Sequence, residues 1–481
     1  MDSKIIKNYI YNILYQLVRI ILPMVLVPYT YAHITPPVLG ISSFASNIMS
    51  WFILFGILGV NTYGNREIAK VRNDPKKLNT AFFEIFYMQV LNMIIAMIAY
   101  YIFCFATVKE NLYVYLLTGI TMFATMCDIT WLFYGLEDFK KASIRNIVVK
   151  ILGVSLIFLL CKSPSDLWKY ILINAGSELL GQFIMFAQLK EYISFEKVSI
   201  VNAYKHHFKA TFQLFVPTIA ISVYTMLDQT MLGYLYSAEH LEFYKTSMNF
   251  VKMFLYFITS IGSVMLPRVT NVYYNDANGQ EKAEALVNTT MKIALLLALP
   301  MCFGMIAVAP NLMAWYLPTA PIIAALVCLG APIVIFISMS NVTGIQFMVP
   351  TGMYKRYSAS VISGAIINFI LNLITIPKIG AYGAVASSVI AEASVTLIQF
   401  ISVSKKVKIN LNNKSYYVYL IGSLLMLAVV YFEGKVLPLN IIGTLVQVMT
   451  GAIIYLLILV VTKEELTQKV VSKLKGRKQN A

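Results

Sequence analysis

The sequence predicts an all-α polytopic membrane protein of 14 transmembrane helices, on three observations. Of its 481 residues 59% are hydrophobic and only 12% charged, with a mean hydropathy of +0.72, which is not the composition of a water-soluble domain. Apolar runs of about 18–25 residues, enough to cross a hydrocarbon core of about 30 Å, recur along the whole chain. Lysine and arginine crowd alternate connections between those runs, as the positive-inside rule requires.

The first run, at about 10–30, holds YNILYQLVRIILPMVLVPY with Arg19 near its middle. Runs at about 42–63, 80–106, 112–136, 144–161 and 167–189 complete a block of six. A second block follows at about 208–236, 243–267, 288–309, 321–350, 358–376 and 381–404, and two further runs lie at about 416–432 and 437–461. With the N-terminus inside, the connections predicted cytoplasmic carry 28 lysines and arginines and those predicted outside carry 6. A shift of one run destroys that split, so both termini are expected in the cytoplasm. The net charge of +16 is this same bias, suited to an anionic inner leaflet, and no nucleic-acid partner is expected.

The first run is full length and lacks a small-residue cleavage site, so no cleaved signal peptide is expected. Cys104, Cys127, Cys161, Cys302 and Cys328 lie in or beside apolar runs and read as core residues rather than disulfide or zinc ligands. His33, His206, His207 and His240 lie near predicted loops and form no HExxH or His–carboxylate motif in the sequence, so no metal is expected. No Walker A loop is present, so ATP hydrolysis by this chain is not expected.

The six-run block is repeated. At an offset of 202, SNIMSWFILF (46–55) lies over MNFVKMFLYF (248–257). At an offset of 215, TWLFYGLEDFKK (130–141) lies over IQFMVPTGMYKR (345–356). Six runs per block make the repeats parallel, with an axis along the membrane normal and a substrate site expected near the midplane. The domains read from this are an N-lobe at 1–200, a C-lobe at 201–410, and 411–481 as two extra helices with a basic cytoplasmic tail.

Within the runs, polar residues fall into stripes. Asn12, Gln16, Arg19 and Pro23 share one helix face, as do Asn249, Lys252 and Tyr256 with Ser260 and Ser263 in the eighth run. The seventh carries Thr218, Ser222, Thr225 and Gln229 beside Asp228. A charge at the bilayer centre costs about 2.5–3.5 kcal/mol on insertion scales, so such residues face protein or a wet cavity. The bland alternatives are snorkelling for Lys252 and, for Arg19, a buried ion pair with Asp128, Asp228 or Glu392. Glu178 and Glu392, at equivalent repeat positions, read as helix–helix hydrogen-bonding groups, whereas Asp128 and Asp228 read as ion- or proton-coupling candidates; Glu392 is kept as a third.

Four stretches together resemble the Wzx-type polysaccharide flippases of the multidrug/oligosaccharidyl-lipid/polysaccharide exporter superfamily. They are YGNREIAK (63–70), DITWLFYGLEDFKK (128–141), LPR (266–268) and PKIGAYGAVASSVIAE (377–392), each at the end of a run, within roughly 1–410. The resemblance implies two six-helix lobes forming a V and alternating access that carries an undecaprenyl-diphosphate-linked oligosaccharide from the inner to the outer leaflet.

It also implies a cationic cavity for the diphosphate, a role that fits Arg19 and Lys252; Asn12, Gln16, Asn249 and Tyr256 would meet sugars and Arg66 would aid capture. Arginine suits phosphate oxygens because its fork donates two hydrogen bonds at once. A proton or sodium gradient supplies the energy by the same analogy, with no bound cofactor. Membrane lipids and glycan polymerase or ligase machinery are the expected partners of a monomer in the bacterial plasma membrane. Capsule or teichoic-acid precursors are the expected cargo. The rival readings are a cation-coupled multidrug exporter, which calls for an acidic cavity, and a glycan polymerase or ligase, which calls for a long catalytic outer loop.

Overall fold

The computed structural model of the chain describes residue 18 and residues 20–276, 278–408, 410 and 413–468, and its regular structure there is entirely helical. The helices begin with α1 (Ile20–His33), α2 (Pro36–Ile57), α3 (Val60–Val71) and α4 (Pro75–Thr107). They continue as α5 (Leu112–Thr118), α6 (Ile120–Met126), α7 (Thr130–Gly135), α8 (Phe139–Leu160), α9 (Leu167–Leu189) and the short α10 (Ile200–Ala203). Next come α11 (Lys209–Leu235), α12 (Ala238–Met253), α13 (Leu255–Asn275), α14 (Gly279–Tyr316), α15 (Ile322–Gly330) and α16 (Ile333–Ser340). The last four are α17 (Tyr354–Ile379), α18 (Ala381–Ser404), α19 (Lys414–Gly434) and α20 (Ile441–Val461).

Among the described residues, 11 stretches are long and apolar enough to cross a membrane, against the 14 expected from the sequence. The described part of the first run, α1, is shorter; α11 and the pair α12 and α13 occupy the seventh and eighth runs.

Several runs that read as single rods are jointed. The second breaks at Leu58 and Gly59, both left-handed with φ of 47° and 78°. The fourth is cut at Gly119 and again between Met126 and Thr130. The tenth passes from α16 into a π-helical stretch at Asn341–Met348. A joint inside a membrane frees backbone groups that lipid cannot satisfy, so side chains must do it. Gln89 of α4, fully buried, does so for the fourth run: its Nε2 donates to the carbonyls of Met126 (3.0 Å) and Asp128 (2.9 Å). Its Oε1 accepts from Trp131 Nε1 at 3.0 Å.

Two of the motifs meet here. A Cβ on Gly64 would stand 2.7 Å from Trp131 Cε3, and one on Gly135 would stand 2.7 Å from Ile68 Cβ, so α3 and α7 touch through glycine on each side. Small residues permit such close approach where, for want of a strong hydrophobic drive in lipid, packing carries helix association. Arg72 closes the same contact by pairing with Glu137 at 2.6 Å. Gly64→Ala should therefore destabilise the protein by about 1–3 kcal/mol, the usual penalty for overpacking, because Trp131 is anchored and cannot yield. Thermal unfolding of purified protein in detergent checks it; an unchanged midpoint contradicts the contact.

The chain divides into two compact units, residues 1–242 and 243–481. In the first, Phe82, Ile85, Met88, Trp131, Leu132 and Phe133 form the heart of a buried cluster shared by α3, α4 and α7. α11, which opens the second sequence block, belongs to this unit. In the second unit, α19 and α20 pack on each other and on α14. α17 turns into α18 at Gly380, whose φ of 54° and ψ of −126° suit glycine alone, and Gly383 lets the helices close: a Cβ there would lie 2.7 Å from the Thr375 carbonyl carbon.

Candidate functional site

Of the residues expected to bind substrate, Asn12, Gln16 and Arg19 lie outside the described residues. Arg66 is exposed on α3, its guanidinium carbon 5.8 Å from the centroid of the Tyr63 ring. Asn249 is exposed and Lys252 half-buried on α12, and Tyr256 is exposed on α13. The stripe they form is interrupted at Phe254, where α12 ends and α13 begins.

The acids differ in what holds them. Asp128 makes an Asx-type turn at the start of α7: its Oδ1 accepts from the backbone N–H of Thr130 at 2.9 Å and from the Thr130 hydroxyl. Asp228 is 3% exposed on α11. Glu392 is half-buried on α18, where its carbonyl accepts from Thr396 Oγ1 at 2.8 Å.

Around Asp128 lies a residue whose role the sequence hid. Arg145 counted as a topological charge, yet it is buried in α8, and its Nη2 donates to Thr130 Oγ1 and to Gln182 Oε1, both at 3.2 Å. The chain Asp128–Thr130–Arg145–Gln182 thus ties the joint in the fourth run to α8 and α9.

The second unit repeats this in neutral form. Gln399 of α18 accepts from Thr343 at 2.9 Å and donates to Ser360 of α17 at 3.1 Å. The 215-residue offset lays Asp128 on Thr343 and Arg145 on Ser360. A third polar cluster joins α2 to α11, where Asn47 and Trp51 converge on the Thr230 hydroxyl at 2.6 and 2.9 Å and Asn47 Nδ2 donates to the Met226 carbonyl at 3.1 Å. Within the first unit a cavity of about 370 Å³ opens between α2 and α4, lined by Trp51, Phe52, Phe55, Ile95 and Asn92 among others. It holds none of the predicted cations.

Folding also gathers Glu84, His206 and His207, which formed no motif in the sequence. His207 is buried, and burial pushes its imidazole pKa below the ordinary range, opposed by the Glu84 carboxylate.

Apolar helices long enough to cross a membrane define a multi-pass membrane protein, and the relatives it matches make it a transporter rather than an enzyme. The profile described as "Polysaccharide biosynthesis protein" matches residues 5–273, more than half of the sequence, and the chain belongs to that family. The "Putative O-antigen transporter" of Escherichia coli K12 is 21% identical over 375 residues, covering 76% of this chain and 88% of its own. The "Probable low-salt glycan biosynthesis flippase Agl15" of Haloferax volcanii is 24% identical over 266 residues, 54% of this chain and 55% of that one. The solved structure "Lipid II flippase MurJ, inward closed conformation" superposes with a TM-score of 0.75 at 16% identity, covering 96% of this chain and 99% of that one, which establishes the fold. The resemblance to Wzx-type flippases carried by the four motifs holds.

Proposed function

We propose that this protein is a flippase that moves a polyprenyl-diphosphate-linked oligosaccharide, a capsule, teichoic-acid or similar envelope precursor, from the inner to the outer leaflet of a bacterial plasma membrane by alternating access. The observation that carries the reading is family membership joined to basic residues, Arg19 and Lys252, inside apolar runs. A diphosphate brings about two negative charges, and a cation in a low-dielectric wall attracts it far more strongly than in water. Lys252 is half-buried on α12, within an apolar run. A membrane-linked glycan is the cargo with both the anion and the apolar tail that such a protein is built to handle.

Transport is driven by a proton or sodium gradient in this reading. Asp128, Asp228 and Glu392, the acids inside apolar runs, are the coupling candidates. Depleting the protein should raise the inner-leaflet pool of lipid-linked glycan, measured by accessibility to a periplasm- or surface-added glycan-binding probe against total extracted lipid. An unchanged leaflet ratio on depletion rules the flippase reading out.

A further inference from the structure

The first unit contains a cluster that the transport reading does not use. Glu84 of α4 is 5% exposed, and its Oε2 lies 2.9 Å from His207 Nε2 and 3.1 Å from His206 Nδ1. The histidines belong to a π-helical turn, Tyr204–Phe208, that leads into α11. A π turn spaces side chains differently from an α turn and is a frequent mark of functional positions. Here it aims two consecutive imidazoles at one carboxylate oxygen. Among the described residues the ion-pair partners of Glu84 are the two imidazoles, and no lysine or arginine pairs with it.

We propose that Glu84, His206 and His207 form a binding site for a borderline divalent transition metal ion of the Zn²⁺ type. Their ligand atoms all lie within 4.8 Å of one another. Metal–nitrogen and metal–oxygen bonds of about 2.0–2.2 Å in tetrahedral geometry place neighbouring ligand atoms roughly 3.3–3.5 Å apart, so the two carboxylate–imidazole distances open by a few tenths of an ångström and the two ring nitrogens, within 4.8 Å of each other, settle to the same spacing. Two imidazoles and a carboxylate are a preferred donor set for such an ion, and they leave the fourth position to water. His206, whose side chain is 60% exposed, gives the ion its entry path.

The surroundings of His207 supply the remaining part of a metal site. Tyr63 Oη of α3 lies 2.7 Å from His207 Nδ1, the ring nitrogen turned away from Glu84. Without metal, each ring donates an N–H to the carboxylate. On metal binding those nitrogens present lone pairs, and each ring proton resides on the other nitrogen; on His207 that N–H donates to Tyr63 Oη, as ligating histidines commonly donate to a fixed acceptor. No proton is gained or lost. The ion would cross-link the turn before α11 to α3 and α4, all within the first unit.

The test uses the full-length, tag-free protein in detergent, stripped with chelator and titrated with Co²⁺ for its visible d–d absorption and with Zn²⁺ by equilibrium dialysis. One equivalent is expected, with tetrahedral Co²⁺ bands. His206→Asn, at an exposed position that folding tolerates, should weaken binding at least tenfold, and Glu84→Gln should abolish it. Tyr63→Phe should keep the stoichiometry and weaken binding by about 10–100-fold. No binding by the wild-type chain, or equal binding by His206→Asn and Glu84→Gln, overturns the proposal. So does a thermal stability that follows pH but not added metal, which would mark the cluster as hydrogen-bonded only.

Discussion

Trp131→Ala should destabilise the protein by about 3–5 kcal/mol, the range for deleting a buried aromatic side chain. Trp131 is 1% exposed and serves three contacts at once. Its ring fills the space that Gly64 leaves on α3, stacks at a tilt on Phe82 with centroids 5.6 Å apart, and holds Gln89 through its indole N–H at 3.0 Å. Alanine empties the space and releases the Gln89 carbonyl oxygen from its donor. Trp131→Phe should cost less, since it keeps the ring packing and loses only the N–H. Thermal or denaturant unfolding in detergent measures both, and a loss below about 1 kcal/mol for alanine contradicts the packing described.

Arg19→Ala should abolish glycan transport while the protein still reaches the membrane, and Arg19→Lys should retain a fraction. A hydrogen bond to a charged group contributes about 1.5–3 kcal/mol, so removing a two-pronged contact to a diphosphate lowers transport by tenfold or more. Lysine restores the charge without the fork. Leaflet distribution of the lipid-linked glycan, read alongside membrane abundance, is the measurement. An alanine variant of normal activity would refute the diphosphate role and favour a structural ion pair.

The helices were legible because a hydrocarbon core of fixed thickness imposes a length and a composition on each crossing. The joints were not, because averaged hydropathy over a run such as 112–136 is blind to whether the backbone is continuous. Gln89, which makes the break after Met126 tolerable, reads as an ordinary polar residue until the carbonyls of Met126 and Asp128 stand before it.

Asp128 was visible as an acid within an apolar run, whereas its engagement with Thr130, two residues on, shows only in the fold. Arg145 misled because a charge near a run's end satisfies the topology rule whether it is wet or buried. Glu84 and His206 are separated by 122 positions, and nothing local to either announces the other. YGNREIAK and DITWLFYG were recognised separately; that their glycines exist to fit one another is a property of the contact alone.

The amide of Gln89 has one more consequence. A helix interrupted in lipid is here held at its joint by a neighbour's side chain, through hydrogen bonds of Gln89 with Met126, Asp128 and Trp131, beside the chain that runs from Asp128 to Gln182. Side-chain hydrogen bonds inside membrane proteins average about 0.6 kcal/mol, so the three bonds of this one amide contribute about 2 kcal/mol of what holds the joint closed.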